Sequence, residues 1–234
     1  MPEPAIRFEN FSHTYEDGTK AVEDVTFSVS AGESIGLIGH NGSGKTTLFM
    51  HIVGILEPDC CVNVCGLPVI KSNLKEIRKK VGYVFQDPRD QLFMSTVAED
   101  VAFGPLNSDM DAHDALHTAE HALESVGLEG FGHRISYHLS GGEMRRAAIA
   151  TVLAMSPEVI VMDEPSSGLD PRAKRELASL IKGLDCTKLI SSHDLDFIRN
   201  CTDRIILLNK GKVAAVGTTE EILRDTELLL ANGL

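Results

Sequence analysis

Gly39-His40-Asn41-Gly42-Ser43-Gly44-Lys45-Thr46 is the stretch of this 234-residue chain whose residue types and spacing point most directly to chemistry. Glycines at these intervals let the main chain curl, so that successive N–H groups converge on one anion. An apolar run, Ser34-Ile35-Gly36-Leu37-Ile38, leads into the loop, and Thr46-Thr47-Leu48-Phe49-Met50 leaves it as a helix start. A helix N-terminus adds favourable partial charge for phosphate oxygens. Lys45 then reaches the outer phosphates of a nucleotide, and the Thr46 hydroxyl is placed to ligate Mg²⁺. Gly39, His40, Asn41, Gly42, Ser43, Gly44 and Thr47 complete the expected nucleotide cradle.

Two acids follow a second apolar run. Val159-Ile160-Val161-Met162 ends in Asp163-Glu164. Burying that run in a parallel sheet brings Asp163 to the carboxyl edge, beside the phosphate loop. A carboxylate there can hold Mg²⁺ directly or through water. Glu164 lies one residue further, placed to take a proton from an attacking water. A third segment, Leu139-Ser140-Gly141-Gly142-Glu143, opens a helical run with a Ser140/Glu143 capping box. Adjacent glycines in a first turn cost about 1 kcal/mol each against alanine. What they leave is a set of unobstructed N–H groups, which suits an anion.

Positioning these groups takes alternating strands and helices. Ile6-Arg7-Phe8 and Thr26-Phe27-Ser28-Val29 alternate as strands, with a turn at Glu16-Asp17-Gly18. Val81 to Phe85, Val159 to Met162, Lys188 to Ile190 and Ile205 to Leu208 are apolar on both faces. Such runs suit a parallel sheet covered on both sides. Between Asp111 and Met155 the period becomes helical, with Ala115, Leu116, Ala119, Ala122, Leu123 and Val126 on one stripe and a stop at Gly127. Asn209-Lys210-Gly211 reads as a hairpin turn and Thr218-x-x-Glu221 as a capping box. The class is α/β.

Composition narrows the partners. Hydrophobic residues make up 43% and charged residues 24%, as in ordinary globular proteins. No apolar run approaches the ~18 residues of a membrane span. The start, Met1-Pro2-Glu3-Pro4, lacks the basic flank and apolar run of an export signal. A formal charge of −12 weighs against nucleic acid as a general partner. The odd count of 5 cysteines suggests reduced thiols. Cys60, Cys61 and Cys65 invite a metal reading, but Cys61 to Cys65 alternates like a strand and no second pair exists, so structural cysteines are expected.

The phosphate loop, Gln86, Leu139 to Glu143, Asp163-Glu164, Ser167-Gly168-Leu169-Asp170 and His193 occur in this order. From about Ile6 to Leu223 that layout resembles the ATP-binding cassette ATPases. The resemblance implies a P-loop NTPase fold with a RecA-like core, an N-terminal antiparallel β subdomain and a helical subdomain inserted at about 91–156. Residues 1–234 would form a single ATP-binding domain. In this family two cassettes pair head to tail and sandwich ATP with Mg²⁺. Ser140, Gly141 and Gly142 then resemble the signature loop that meets the nucleotide of the opposite subunit, and Asp170 the aspartate linking the two sites. Tyr15 resembles the aromatic ring that stacks on adenine. Gln86 resembles the glutamine that senses Mg²⁺ and water, and His193 the switch histidine at the γ-phosphate.

Val84 to Phe93 together with Glu99 to Pro105 resembles, more narrowly, the ATPase subunits of energy-coupling factor importers, which serve cobalt, nickel or vitamins. The resemblance implies ATP hydrolysis coupled to uptake, a cobalt or nickel cargo being favoured, at the cytoplasmic face of the cell membrane. Its partners are a second ATPase subunit, identical or a paralogue, a transmembrane coupling subunit and a substrate-binding membrane subunit. Gln91-Leu92-Phe93-Met94 is expected to offer apolar groups to the membrane partner. A soluble repair or translation ATPase is the rival class, but the chain has no room for a long coiled coil or a second cassette. The signature's Glu143-Met144-Arg145-Arg146 departs from the usual glutamine-rich run, with little expected effect on catalysis. His113, His117 and His121 stand four apart near Glu120 and Glu124, a spacing that can chelate a metal, yet a solvated helix face is the expected reading.

Overall fold

The computed structural model describes residues 3–234; Met1 and Pro2, part of the start read for an export signal, lie outside the described residues. Strands β1 (Ile6–Thr14) and β2 (Lys20–Val29) form an antiparallel pair. The chain then enters β3 (Ser34–Ile38), crosses the phosphate loop and forms α1 (Lys45–Ile52). Short strands β4 (Val62–Val64) and β5 (Leu67–Pro68) complete an antiparallel sheet of order β2-β1-β4-β5. Helix α2 (Leu74–Lys80) leads to β6 (Val81–Val84).

A helical block follows, made of α3 (Val97–Asn107), α4 (Ala112–Ser125) and α5 (Gly141–Leu153). The chain returns through β7 (Val159–Met162), α6 (Pro171–Lys182), β8 (Thr187–Ser191) and α7 (Leu195–Cys201). It closes with β9 (Arg204–Asn209), β10 (Lys212–Thr218), α8 (Thr219–Arg224) and α9 (Thr226–Ala231). The second sheet has the order β10-β9-β3-β8-β7-β6 and is parallel apart from the β9–β10 hairpin. Among the described residues, no helix is long and apolar enough to cross a membrane.

Why runs such as Val159 to Met162 and Ile205 to Leu208 are apolar throughout is visible in the packing. Val159 and Val161 face one core, with Phe8, Phe11, Leu48 and Phe49. Ile160 and Met162 face the other, with Val101, Ala119 and Ile149. Ile206 and Leu208 divide from Ile205 and Leu207 in the same way. Successive side chains on a strand point to opposite faces, so burial on both sides demands an unbroken apolar run.

Register brings the chemistry to one edge. Leu37 pairs with Ser191, and Met162 pairs with Ile190. Asp163 therefore leaves the sheet level with Ser191 and Leu37, and the phosphate loop begins two residues beyond Leu37 at Gly39. Strand β3, flanked by β8 and β9, is where the order reverses, the usual crevice for a ligand in an open α/β sheet.

The helical block departs from the sequence reading in three places. Helix α3 starts at Val97, inside the block expected at about 91–156 but well before Asp111, where the helical period begins, on a Thr96/Glu99 capping box that the sequence contains in plain form. Leu116, counted in the apolar stripe, is 47% exposed, because the stripe through Ala115, Ala119 and Leu123 already fills the contact with the core. Leu92, expected to face a partner, is buried in the helical core, whereas Phe93 is exposed.

Gly82 marks where the block seats on the sheet. A Cβ there would overlap the Val152 side chain of α5, with Pro157 close behind at 3.5 Å. Overpacking of this kind typically costs 1–3 kcal/mol. Gly82→Ala is expected to lower the denaturant midpoint accordingly, as measured by urea unfolding followed by circular dichroism.

A second stability term depends on pH. His51, in the last turn of α1, is 2% exposed. Burial, and then neighbouring His13, push its imidazole down from 6.5 to about 4, with Asp59 opposing. Below the ordinary value the unfolded chain takes up this proton while the native chain does not, so stability falls as pH drops from 6.5 toward 4. The integrated loss is on the order of 3 kcal/mol. His51→Phe should flatten this part of the profile when unfolding midpoints are compared across that range.

Candidate functional site

The phosphate loop is held by its own geometry. Gly44, the residue before α1, has φ 104, which favours glycine, and a Cβ there would press on Val22 and on the Ala21 carbonyl at 2.7 Å. Lys45 donates from Nζ to the carbonyls of Gly39 at 2.8 Å and His40 at 3.2 Å. Burial lowers its pKa, partly opposed by Glu164 and Asp163, whose charges favour the ammonium. Ser43 Oγ is buried with no hydrogen-bond partner among the described residues. Buried hydroxyls are seldom left so, and a phosphate oxygen is a fitting acceptor.

Asp163 ties three elements together. Its Oδ2 accepts from Thr46 Oγ1 at 2.8 Å, and its Oδ1 accepts from Ser191 Oγ. Tyr83 Oη approaches the same Oδ2 at 3.5 Å, and its phenol is raised by burial and then by the Asp163 charge. The carboxylate is 3% exposed. A hydroxyl and a carboxylate, both hard oxygen donors at the mouth of the phosphate loop, suit Mg²⁺.

Glu164 holds a strained backbone, with φ 45. A non-glycine residue in the left-handed region costs roughly 1–2 kcal/mol, and such strain concentrates at functional sites. The strain is held by the Glu164 N–H donating to Ser191 Oγ at 2.9 Å. The turn aims the carboxylate at His193, whose Nδ1 is 2.8 Å from Glu164 Oε2. The His193 side chain is 62% exposed against 10% for Glu164, so it has room to turn.

Tyr15, Asn41, Thr46, Asp163, Glu164 and His193 face a single cavity of about 620 Å³, which the rest of the loop from Gly42 to Thr47 also lines. Gln86 lies at its edge and also lines the adjacent groove with Gly141 and Ser167. Gly39 and His40 do not line the cavity: their carbonyls hold Lys45, and the His40 ring turns to Asn209 at 3.2 Å. Ser140, Gly141 and Gly142 are also outside it. Ser140 and Glu143 form the expected capping box at the start of α5, and Gly141 lies in the groove. Asp170 N-caps α6, accepting from Arg172 and Ala173 N–H groups, which hold its carboxyl below the usual range.

Two participants escaped the sequence reading. Ser191 bridges Asp163 and Glu164, and the only trace of it in the sequence is a serine pair before His193. Arg145, in the signature run whose departure from the usual sequence is expected to have little effect on catalysis, is 3% exposed. Its guanidinium donates to the carbonyls of Phe85 at 2.9 Å and Gln86 at 2.8 Å, and reaches the Ser167 carbonyl at 3.4 Å. It thereby joins α5 to the glutamine segment and to the turn after Glu164.

The histidine face of α4 does not converge. His117 and His121 stack edge to face at 4.4 Å, while His113 sits apart with Asp111 and Asp114. Cys60 and Cys61 lie near Asp59, and Cys65 is not in that group.

Comparison with known proteins agrees with this geometry. The ABC transporter family profile matches residues 22–167. The energy-coupling factor transporter ATP-binding protein EcfA of Methanothermobacter thermautotrophicus is 43% identical over 230 residues, covering 96% of this chain and 74% of that protein. CbiO1 of Clostridium perfringens, part of the ABC transporter complex CbiONQ, superposes with a TM-score of 0.87 at 32% identity, covering 98% of this chain and 94% of that one. A dimeric ATP-binding cassette in a post-hydrolysis state, bound to ADP and phosphate, superposes with a TM-score of 0.82 at 28% identity, covering 92% and 98%. The phosphate loop, the buried Asp163 beside it and the strained Glu164 thus sit in a chain that belongs to the ATP-binding cassette ATPases of transporters, of the energy-coupling factor type.

Proposed function

We propose that this chain hydrolyses Mg·ATP at the cavity between the phosphate loop and Asp163-Glu164, as one half of a pair of cassettes that powers uptake through membrane partners. The observation that carries the reading is the 2.8 Å bond from Thr46 to buried Asp163, with Glu164 one residue beyond. Lys45 and the loop N–H groups neutralise the phosphates, and Tyr15 supports the adenine. Thr46 and Asp163 would hold Mg²⁺, with Gln86 at its edge; the ion supplies electrostatic stabilisation of charge on the transferred phosphoryl group. His193 turns from Glu164 Oε2 to the γ-phosphate, which frees that oxygen to accept a proton from water. Most of the rate comes from positioning and fixed charge.

The second half of the site is the signature segment of another copy or a paralogue. Ser140 to Gly142 lie outside this chain's own nucleotide cavity, which suits a role across a dimer, with Asp170 at the junction. The dimeric relative bound to ADP and phosphate supports the same reading. The helical block at about 91–156 would move as the inserted subdomain of a single 1–234 unit.

For the membrane side, Phe93 is 56% and Phe103 43% exposed, stacked edge to face at 5.1 Å. Buried Asp100 fixes this presentation by accepting the N–H groups of Phe93 and Met94, each at 2.8 Å. An apolar patch of this kind suits helices of a transmembrane coupling subunit. The chain would therefore sit peripherally on the cytoplasmic face of the membrane. The likeness to energy-coupling factor ATPases favours a transition-metal cargo, cobalt or nickel, carried by a separate substrate-binding membrane subunit; a vitamin is the second reading.

Glu164→Gln should retain ATP binding, within about threefold by calorimetry, while phosphate release falls by the 10²- to 10⁴-fold typical of a lost general base. Wild-type turnover in that variant would remove Glu164 from its role. Gly141 has open space, with Leu169 no nearer than 4.0 Å, so Gly141→Asp is expected to fold. It should bind ATP normally yet lose turnover, because its carboxylate would meet the γ-phosphate of the facing subunit. Vesicles containing the co-purified membrane subunits should take up labelled cobalt or nickel only with ATP. Uptake of a vitamin instead would move the cargo to the second reading.

A further inference from the structure

Phe11, His13 and Tyr15, from strand β1 into the segment that follows, bring their rings to one side, as their contacts with one another and with His51 show. Thr47 and His51 lie one helical turn apart on α1 and share one face. These two faces meet in matched rungs. Tyr15 Oη and Thr47 Oγ1 are hydrogen-bonded at 3.0 Å. The rings of His13 and His51 meet edge to face, with centroids 4.6 Å apart. Two residues of strand advance about 6.8 Å, and four of helix about 6 Å, so both rungs can form at once. The stack continues at both ends: His13 meets Tyr15 at 4.7 Å and 87°, and His51 meets Phe11 at 4.7 Å and 67°.

Among the described residues, His13 Nε2 and both ring nitrogens of His51 are buried with no partner at full hydrogen-bond geometry, although the Glu57 backbone lies close enough to act on the His51 imidazole. Unpaired buried polar atoms are costly, so what the two imidazoles contribute at this contact is the stacking of their rings, which a phenyl ring can share. The imidazoles stand where the phosphate-loop helix meets the strand that ends just before Tyr15.

We propose that His13 and His51 are positioning residues for the nucleotide base. Their paired rings dock β1 on α1 and thereby fix Tyr15 at a set distance and tilt from the phosphate loop. The proposal rests on the reading of Tyr15 as the adenine platform. It adds that the platform's placement is set by a ring stack rooted in the phosphate-loop helix, so that base binding and phosphate binding stay in register. Neither histidine touches the nucleotide.

The test compares two ligands, Mg·ATP and Mg·tripolyphosphate, the second of which has no base. Calorimetry on the intact chain gives the dissociation constant of each for wild type, Tyr15→Ala, His13→Ala and His51→Ala. Loss of an aromatic platform should weaken ATP about three- to tenfold. His13→Ala and His51→Ala are expected to reproduce that loss for ATP while leaving tripolyphosphate within about twofold, and to add little when combined with Tyr15→Ala. His51→Phe, which keeps the ring, should bind ATP nearly as the wild type does; it and His13→Ala carry the test if His51→Ala does not fold. Equal weakening of both ligands would mean that the histidines merely support the phosphate loop, and would overturn the proposal. So would unchanged ATP affinity in the histidine variants alongside a weakened Tyr15→Ala, which would leave the platform reading standing. Unchanged ATP affinity in Tyr15→Ala itself would instead remove the platform, and this proposal with it.

Discussion

The carboxylate of Asp163 is the point on which the architecture turns. One oxygen accepts from the phosphate-loop helix at Thr46, and the other accepts from the end of β8 at Ser191. A buried anion is tolerable only when its oxygens are satisfied and opposite charge is near. Here two hydroxyls and the Lys45 ammonium, on which its charge acts, meet that need. The sheet register supplies the placement, since Leu37–Ser191 and Met162–Ile190 bring Leu37, Ser191 and Asp163 to one level. The same Ser191 oxygen then accepts from the strained Glu164 N–H, so the candidate base is located by the residue that orients the candidate metal ligand.

A second constraint is that the nucleotide cavity and the signature segment are separate in one chain but not independent. Gln86 borders both the cavity and the groove that holds Gly141. Arg145 pins the carbonyls on either side of that border to α5, and burial lowers its pKa as the expense of a desolvated guanidinium. Rotation of the helical block would therefore pull directly on the Gln86 segment. In the proposed function this is the path by which closure of two cassettes reaches the exposed Phe93 and Phe103 surface, because Asp100 ties the backbone beside Phe93 to α3.

Much of this was legible in the residues, for identifiable reasons. Two-sided apolar runs such as Val159 to Met162 have few alternatives to a covered parallel sheet, and the phosphate loop carries its own mechanism in its spacing. Capping boxes at Ser140 and Thr218 appear where the spacing placed them. What escaped depends on distant contacts. Ser191 matters only because β8 lies between β3 and β7, and Arg145 only because α5 packs beside the Gln86 segment. Leu92 and Phe93 are equally apolar neighbours, and only the packing of the helical core decides which is buried. Leu116 shows the converse, an apolar residue at helical spacing that the core had no room to cover.

The central claim, that Asp163 and Thr46 together make the metal-dependent half of the nucleotide site, is tested most directly by the Mg²⁺ dependence of ATP affinity in Asp163→Asn. Titrations with Mg²⁺ and with chelator should show wild-type affinity falling at least tenfold when the ion is removed. In the variant the two titrations should coincide, near the chelator value of the wild type. An undiminished gain from Mg²⁺ in Asp163→Asn would contradict the account.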